Sequence, residues 1–321
     1  TTLLCLLRGQ RQFYPLSGVI PIPPPLGVDA LYWVFLWADF NRELVASSTG
    51  TKILHTAPQR IEAFKFKLPP IDEQQAIKEI LNALNDKIEL NRQMNQTLEQ
   101  MAQALFKSWF VDFDPVVAKA AGKMPFGMSE EVAALFPDKF ADSGLGMIPS
   151  GWKIRSTNDM AFYINGKNFT KNASGSGRLV IRIAELNSGI SGSTKYNNVE
   201  AEDQNIAYPG DLLFSWSGSL NIYRWYRDDA LINQHIFKVI PKGFPQWFVH
   251  FTLKDAMPFF QSIASGKATT MGHIKREHLK QWKFAEPDNE VIKAVDEIFC
   301  SQYDLILSNE RESLNLIDLR D

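Results

Sequence analysis

The sequence is poor in the features that usually announce an activity. It has 2 cysteines in 321 residues, Cys5 and Cys300. That is too few for a disulfide scaffold or a zinc cluster, and it fits buried, reduced thiols in a cytosolic protein. The longest apolar run, Ala30 to Ala38, is far short of the roughly 20 residues of a membrane span. Leu3 to Leu7 is apolar but has neither a basic start nor a small-residue cleavage site, so it does not read as a signal peptide. No Asp or Glu stands two residues before a Lys, which removes the carboxylate-x-lysine arm of a common nuclease site. Asn-Pro-Pro-aromatic, GxGxxG and GxxxxGK[ST] runs are missing as well, and with them the usual marks of adenine methylation and nucleotide binding. Ser174–Gly177 lacks the flanks of a phosphate loop, and the five histidines show no metal-ligand spacing. Catalytic and metal-ligating residues are therefore expected to be none. The chain starts without Met in an apolar segment, so a further N-terminal portion is expected.

What is present is a repeat. Ser47-Ser48-Thr49-Gly50-Thr51-Lys52 precedes His55, then Phe64-Lys65-Phe66, Pro69-Pro70 and Ile77-Lys78-Glu79-Ile80. Ser265-Gly266-Lys267-Ala268-Thr269-Thr270 precedes His273, then Trp282-Lys283-Phe284, Pro287 and Ile292-Lys293-Ala294-Val295. A module followed by a long helix, used twice, suits a protein that grips something with two similar halves. The first module is short: it has no counterpart of about residues 151–210.

Net charge is −2 overall but divides unevenly. Residues 151–286 carry 17 Lys/Arg against 11 Asp/Glu, and residues 287–321 carry 3 against 9. Residues 1–69 are basic, whereas 70–110 and 111–150 are acidic. Basic modules can face a polyanion; acidic helices are better suited to protein contacts.

Two segments predict long helices. Ile77, Leu81, Leu84, Ile88, Asn91, Asn95, Leu98, Ala102, Leu105 and Trp109 alternate steps of four and three, the seam of a coiled coil. Val291, Val295, Ile298, Gln302, Leu305, Asn309, Glu312, Leu316 and Leu319 repeat the pattern. A 39-residue helix over 72–110 would be about 58 Å long and needs a partner to cover its stripe. Polar residues inside both seams are of the kind that fixes register. Between the helices, 111–150 reads as a connector with a short helix near Glu130–Phe136. Residues 151–286 read as mixed and mostly β, with strands near 179–183, 211–216 and 236–240 and a covering helix over Gln246–Gln261.

Three further runs carry a family likeness. They are Gln96-Thr97-Leu98-Glu99-Gln100-Met101-Ala102-Gln103-Ala104-Leu105-Phe106-Lys107-Ser108-Trp109-Phe110-Val111-Asp112-Phe113-Asp114-Pro115-Val116, then Leu135-Phe136-Pro137-Asp138-Lys139-Phe140, then Ser143-Gly144-Leu145-Gly146-Met147-Ile148-Pro149-Ser150-Gly151-Trp152. With Leu68-Pro69-Pro70-Ile71-Asp72-Glu73-Gln74, they make the chain resemble the specificity (S, HsdS) subunit of type I restriction-modification systems over about 47–321. The resemblance implies an α+β fold: mostly-β target recognition domains with two long antiparallel coiled-coil helices. It implies a partial first recognition domain at 1–69, a spacer helix at 70–110, the connector at 111–150, a second recognition domain at 151–286 and a second helix at 287–321. It further implies a non-catalytic subunit that binds a split target in double-stranded DNA. Modification (methyltransferase) subunits and a restriction (motor/nuclease) subunit would be its partners. S-adenosylmethionine, ATP and Mg would be used by those other subunits, in a bacterial or archaeal cytoplasm. The competing reading is a coiled-coil adaptor whose basic domain binds a protein.

Residue types suited to DNA readout cluster in three loops of 151–286: Lys and Arg for phosphate and guanine, Asn and Gln for adenine, Ser and Thr for either. The candidates are Lys167, Asn168, Lys171 and Asn172 in the first, Ser217, Ser219, Asn221 and Arg224 in the second, and Lys267, Thr269, Thr270, His273 and Lys275 in the third. The helix-pair candidates are Ile77, Leu81, Leu84, Ile88, Leu98, Leu105, Val291, Val295, Ile298, Leu305 and Leu316.

Overall fold

The computed structural model describes residues 4–5, 14–15, 33, 37–48, 61, 63, 65, 67, 69–266 and 272–320. The first copy of the repeated loop, around His55, lies outside the described residues, as do Lys267, Thr269 and Thr270 of the second. The chain forms two compact units. One comprises Thr1–Asn91, Ser188–Ser193 and Glu312–Asp321; the other comprises Arg92–Asn187 and Thr194–Arg311.

In the smaller unit, β1 (Leu4–Cys5) pairs antiparallel with β2 (Tyr14–Pro15), and α1 covers Ala38–Ser47. The long helix α2 runs from Ile71 to Phe110 and the helix α7 from Asn289 to Arg320. Asp72 and Glu73 open α2 where negative charge favours a helix start. Trp33 donates its indole N–H to Asn82 Oδ1 at 3.1 Å. Arg320 reaches Asn85 at 3.3 Å, Lys87 pairs with Glu312 at 3.1 Å, and Asn91 donates to Glu312 at 2.7 Å and to Ser313 at 3.3 Å. Numbers rise along α2 as they fall along α7, so the pair is antiparallel.

The same two helices pair within the larger unit. Asn309 donates to Asn95 Oδ1 at 2.8 Å, and Asn95 donates to the Ile306 carbonyl at 3.1 Å. Asn91, Asn95 and Asn309 are all buried. The connector holds more structure than its composition suggests: α3 (Asp114–Ala120), α4 (Glu130–Leu135) and a hairpin of β3 (Phe140–Ser143) with β4 (Gly146–Pro149). Ser129 caps α4 by accepting the Val132 N–H at 3.3 Å.

Two four-stranded sheets follow. The first, in order β11-β10-β13-β6, joins Asn221–Arg224, Leu212–Ser215, Ile236–Pro241 and Ala161–Asn165, all antiparallel. The second, in order β8-β7-β12-β9, joins Lys195–Asn197, Arg178–Ile181, Ala230–Ile232 and Ile206–Ala207, with β7 and β12 parallel. A short helix α5 (Ile183–Ser188) follows β7, and β5 (Lys153–Ser156) pairs with β14 (Lys283–Glu286).

The helix α6 (Gln246–Ser265) connects the parts of this unit. It is apolar on two faces, as a helix buried on both sides must be. Val249, Leu253, Ala256, Met257 and Phe260 pack on Leu212, Phe214, Phe237 and Val239 of the first sheet. Trp247, Phe248 and Phe251 pack instead with Phe106, Trp109 and Phe110 of α2 and Val291, Val295 and Phe299 of α7. Trp247 stacks on Phe299 at 4.2 Å between ring centroids, and its indole N–H donates to Asp296 at 2.7 Å.

This packing corrects part of the expected seam. Ile77, Ile298 and Leu305 are 45%, 38% and 42% exposed, so they do not line the buried surface. Leu81, Leu84, Ile88, Leu98, Leu105 and Leu316 are half-buried. The buried residues of α7 are Val291, Ile292, Val295, Phe299, Tyr303 and Asn309. Its early turns follow α6 in steps of four, and only beyond Tyr303 do they turn to the asparagines of α2.

Truncating Phe299 to Ala should destabilise the fold by about 3–5 kcal/mol in chemical denaturation. His250, on α6, is buried and held neutral: desolvation, then the charges of Lys254 and Arg224, push its pKa well below the usual value. The unfolded chain takes up this proton below about pH 6.5 while the folded one does not, so stability should fall with acid by at most about 1.4 kcal/mol per pH unit from this group. The stability–pH profile of His250→Gln should be flatter by that amount between pH 6.5 and 5; parallel profiles would assign the acid sensitivity elsewhere.

Candidate nucleic-acid interface

Register alone gathers several loops at one end of the first sheet. Ser215 at the end of β10 lies opposite both Asn221, the start of β11, and Ile236, the start of β13. Asn165 at the end of β6 lies opposite Phe237. Antiparallel pairing places these strand ends side by side, so segments 166–172, 216–220 and 233–235 emerge together. Segment 272–275 joins them. Ser217 bridges to His273, the Gly218 N–H donates to the Gly272 carbonyl at 2.8 Å, and the Ile274 N–H donates to the Trp216 carbonyl at 3.0 Å.

Gly166 locks the first loop in place. Its N–H donates to the Ile236 carbonyl at 3.0 Å, and the Lys167 N–H donates to the Ile232 carbonyl at 3.0 Å. A Cβ at position 166 would stand 2.1 Å from the Ile232 carbonyl oxygen, a distance no side chain tolerates. The repeated loop closes the same way: a Cβ on Gly272 would stand 2.7 Å from the Ala264 carbonyl oxygen in the last turn of α6.

The side chains of this end are polar and mostly exposed. Lys167 pairs with Glu202 at 2.6 Å, and the hydrogen bond from Lys167 holds the Glu202 carboxyl below the usual carboxylate range. Asn168 Oδ1 accepts from the Thr170 hydroxyl at 2.8 Å and the Lys171 N–H at 3.3 Å, folding the loop back on itself. Lys171 and Asn172 are exposed, the latter in the left-handed region at φ 58°. Ser217 is buried in its bridge, whereas Ser219 and Asn221 are exposed. Asn221 Oδ1 accepts the Ile222 N–H at 2.9 Å. His273 is half-buried and Lys275 exposed, its ammonium 3.6 Å from Glu277.

Arg224 stands apart from this group. β11 runs away from the loop end, so three residues beyond Asn221 the chain has advanced about 10 Å. The guanidinium lies 3.8 Å over the Tyr303 ring, bonds the Tyr303 carbonyl and reaches Asp304 at 3.1 Å. It fastens the sheet to α7 instead of facing the loops. Two residues absent from the sequence-based set, Gln234 and His235, occupy the turn between β12 and β13 at the centre of the loop end. The signal was in the run Asn233-Gln234-His235, which has the same residue types but follows a strand of only three residues.

No described helix is long and apolar enough to cross a membrane. Among the described residues no group of three or more His, Cys, Asp or Glu is placed to hold a metal ion.

The family described as type I restriction modification DNA specificity domain matches residues 16–100 and 149–317. The chain belongs to this specificity family. Within it, the chain is 27% identical over 332 residues to the type I restriction enzyme HindI specificity subunit of Haemophilus influenzae, covering 87% of this chain and 71% of that one. It is 22% identical over 330 residues to the MjaIX specificity subunit of Methanocaldococcus jannaschii, covering 98% and 69%. The crystal structure of a type I restriction-modification S subunit from M. genitalium superposes with a TM-score of 0.52 at 12% identity, over 92% of this chain and 71% of that one. The specificity-subunit fold is thus shared at low identity, an α+β architecture with a pair of long helices.

Gly166→Ala should destabilise the fold through the clash with the β12–β13 turn, by more than about 1 kcal/mol, and so lower the melting temperature. Gly192→Ala, where nothing lies within 4 Å of the added Cβ, should leave it within error; equal melting curves for both would mean the loop is not locked at position 166.

Proposed function

We propose that this chain is the DNA sequence-recognition subunit of a type I restriction–modification complex and carries out no bond chemistry itself. The observation that carries the reading is the convergence of loops at one end of the β11-β10-β13-β6 sheet. Lys167, Asn168, Lys171, Asn172, Ser219, His273 and Lys275 belong to those loops, and Asn221 opens the strand beside them. Lysines neutralise phosphates and set orientation, while amides and hydroxyls read base edges in the major groove. Lys267, Thr269 and Thr270 belong to the same reading through the chain segment that leads into His273.

The helix pair gives the recognition end a fixed frame. α2, at about 60 Å, exceeds one DNA turn of about 34–36 Å. It is long enough to separate two half-sites by several base pairs. We assign it the spacing of a split target, with residues 1–69 contributing the first recognition domain and 151–286 the second. The exposed acidic faces of α2 and α7 are the docking surfaces for methyltransferase subunits. Those subunits and the restriction subunit would bring S-adenosylmethionine, ATP and Mg to the complex in the cytoplasm.

The logarithm of duplex affinity should fall linearly with the logarithm of salt concentration, and Lys171→Ala should lessen the slope by about 1. A wild-type slope near zero would remove the DNA reading and favour a protein ligand for the basic domain.

A further inference from the structure

The proposed interface contains one turn whose backbone is pinned from several sides. Asn233, Gln234 and His235 form the whole connection between β12 and β13. Four backbone bonds pin that turn. The Asn233 N–H donates to Ile181, the Ile236 N–H to Asn233, the Lys167 N–H to Ile232 and the Trp216 N–H to His235, at 3.0–3.2 Å. Asn233 is itself buried and bridges to Lys167. Trp216 lies against the His235 ring at 5.4 Å between centroids. Loops from three directions thus meet at these three residues, and Gln234 projects from their centre as an exposed amide.

The Gln234 amide nitrogen lies 3.2 Å from His235 Nε2. Where Nε2 is the acceptor of this contact, one amide proton is used and the other remains, together with Oε1. That remainder is the donor–acceptor pair that matches the N7 and N6 positions of adenine in the major groove. A bidentate reader needs its rotamer fixed before DNA arrives, because a site that must first order its side chain discriminates poorly. His235 supplies that restraint, and Trp216 in turn backs His235.

Resting on the DNA reading above, we propose that Gln234 is a specificity-determining residue that reads an adenine in the half-site of the second recognition domain, with His235 as its positioning residue. The exchange Gln234→Glu tests the chemistry directly. A carboxylate accepts but cannot donate, and it suits the N4 amine of cytosine.

The test maps methylated positions for the wild-type chain and for Gln234→Glu, Gln234→Ala and His235→Phe, each expressed with the neighbouring methyltransferase. Duplex affinity is measured across salt for the same proteins. Gln234→Ala should lose preference at a single A·T pair and weaken cognate binding about tenfold, with the salt slope and melting temperature unchanged. Gln234→Glu should move that preference toward C·G, and His235→Phe should relax it without moving it. An unchanged target for both Gln234 variants, with wild-type binding still salt-dependent, overturns the assignment and leaves the DNA reading intact. A wild-type chain without salt-dependent duplex binding overturns both.

Discussion

The burial of α6 on two faces is the constraint on which the larger unit depends. One face of the helix completes the core under the first sheet, through Val249, Leu253 and Phe260. The other enters the aromatic cluster of α2 and α7, through Trp247, Phe248 and Phe251. Close-packed aromatic interiors transmit displacement because they contain no slack. The loop end of the sheet is therefore held in a set orientation to the ends of both long helices by one element. Arg224 adds a polar fastening beside it by crossing from β11 to Tyr303 and Asp304, and Lys254 pairs with Glu99 across from α6 to α2.

The residues that carry the family likeness and those proposed for recognition stand in different parts of the unit. Phe106, Trp109, Phe110, Phe136 and Trp152 stand in the runs by which the family is recognised, and all are buried in the aromatic cluster. They build the frame. The loops of the recognition end contain none of those runs. Their polar residues lie outside the aromatic cluster, so likeness to the family predicts the frame and is silent about the target.

Sequence periodicity made the long helices legible because few structures besides a long paired helix produce a stripe of ten positions in steps of four and three. It read the α7 seam less well. Ile298 and Leu305 fit the 3.5-residue spacing, but the side chains around Phe299 turn toward α6, a third element that a two-helix pattern does not contain. Strands of two or three residues, such as β9 and β12, are hidden because alternation needs more length to show. The candidate loops were found by composition, since Asn, Lys and Ser crowd where turns also need them. Arg224 was drawn in by its type alone. Its direction depends on strand register, which no local window holds. Gln234 escaped for the converse reason: its surroundings are assembled from segments far apart in the chain.

Asn91, Asn95 and Asn309 sit where leucine would pack the helix pair more tightly. An all-apolar seam has near-equivalent alignments one heptad apart, and such a slip would shift one helix by about 10.5 Å along the other. In duplex DNA that distance is about three base pairs. Buried asparagines lose their partners in every alignment but one, because Asn309 must meet Asn95 while Asn91 meets Glu312. The stability surrendered in the seam therefore fixes one alignment of the pair; under the proposed spacing role, the pair would be a gauge with a single zero.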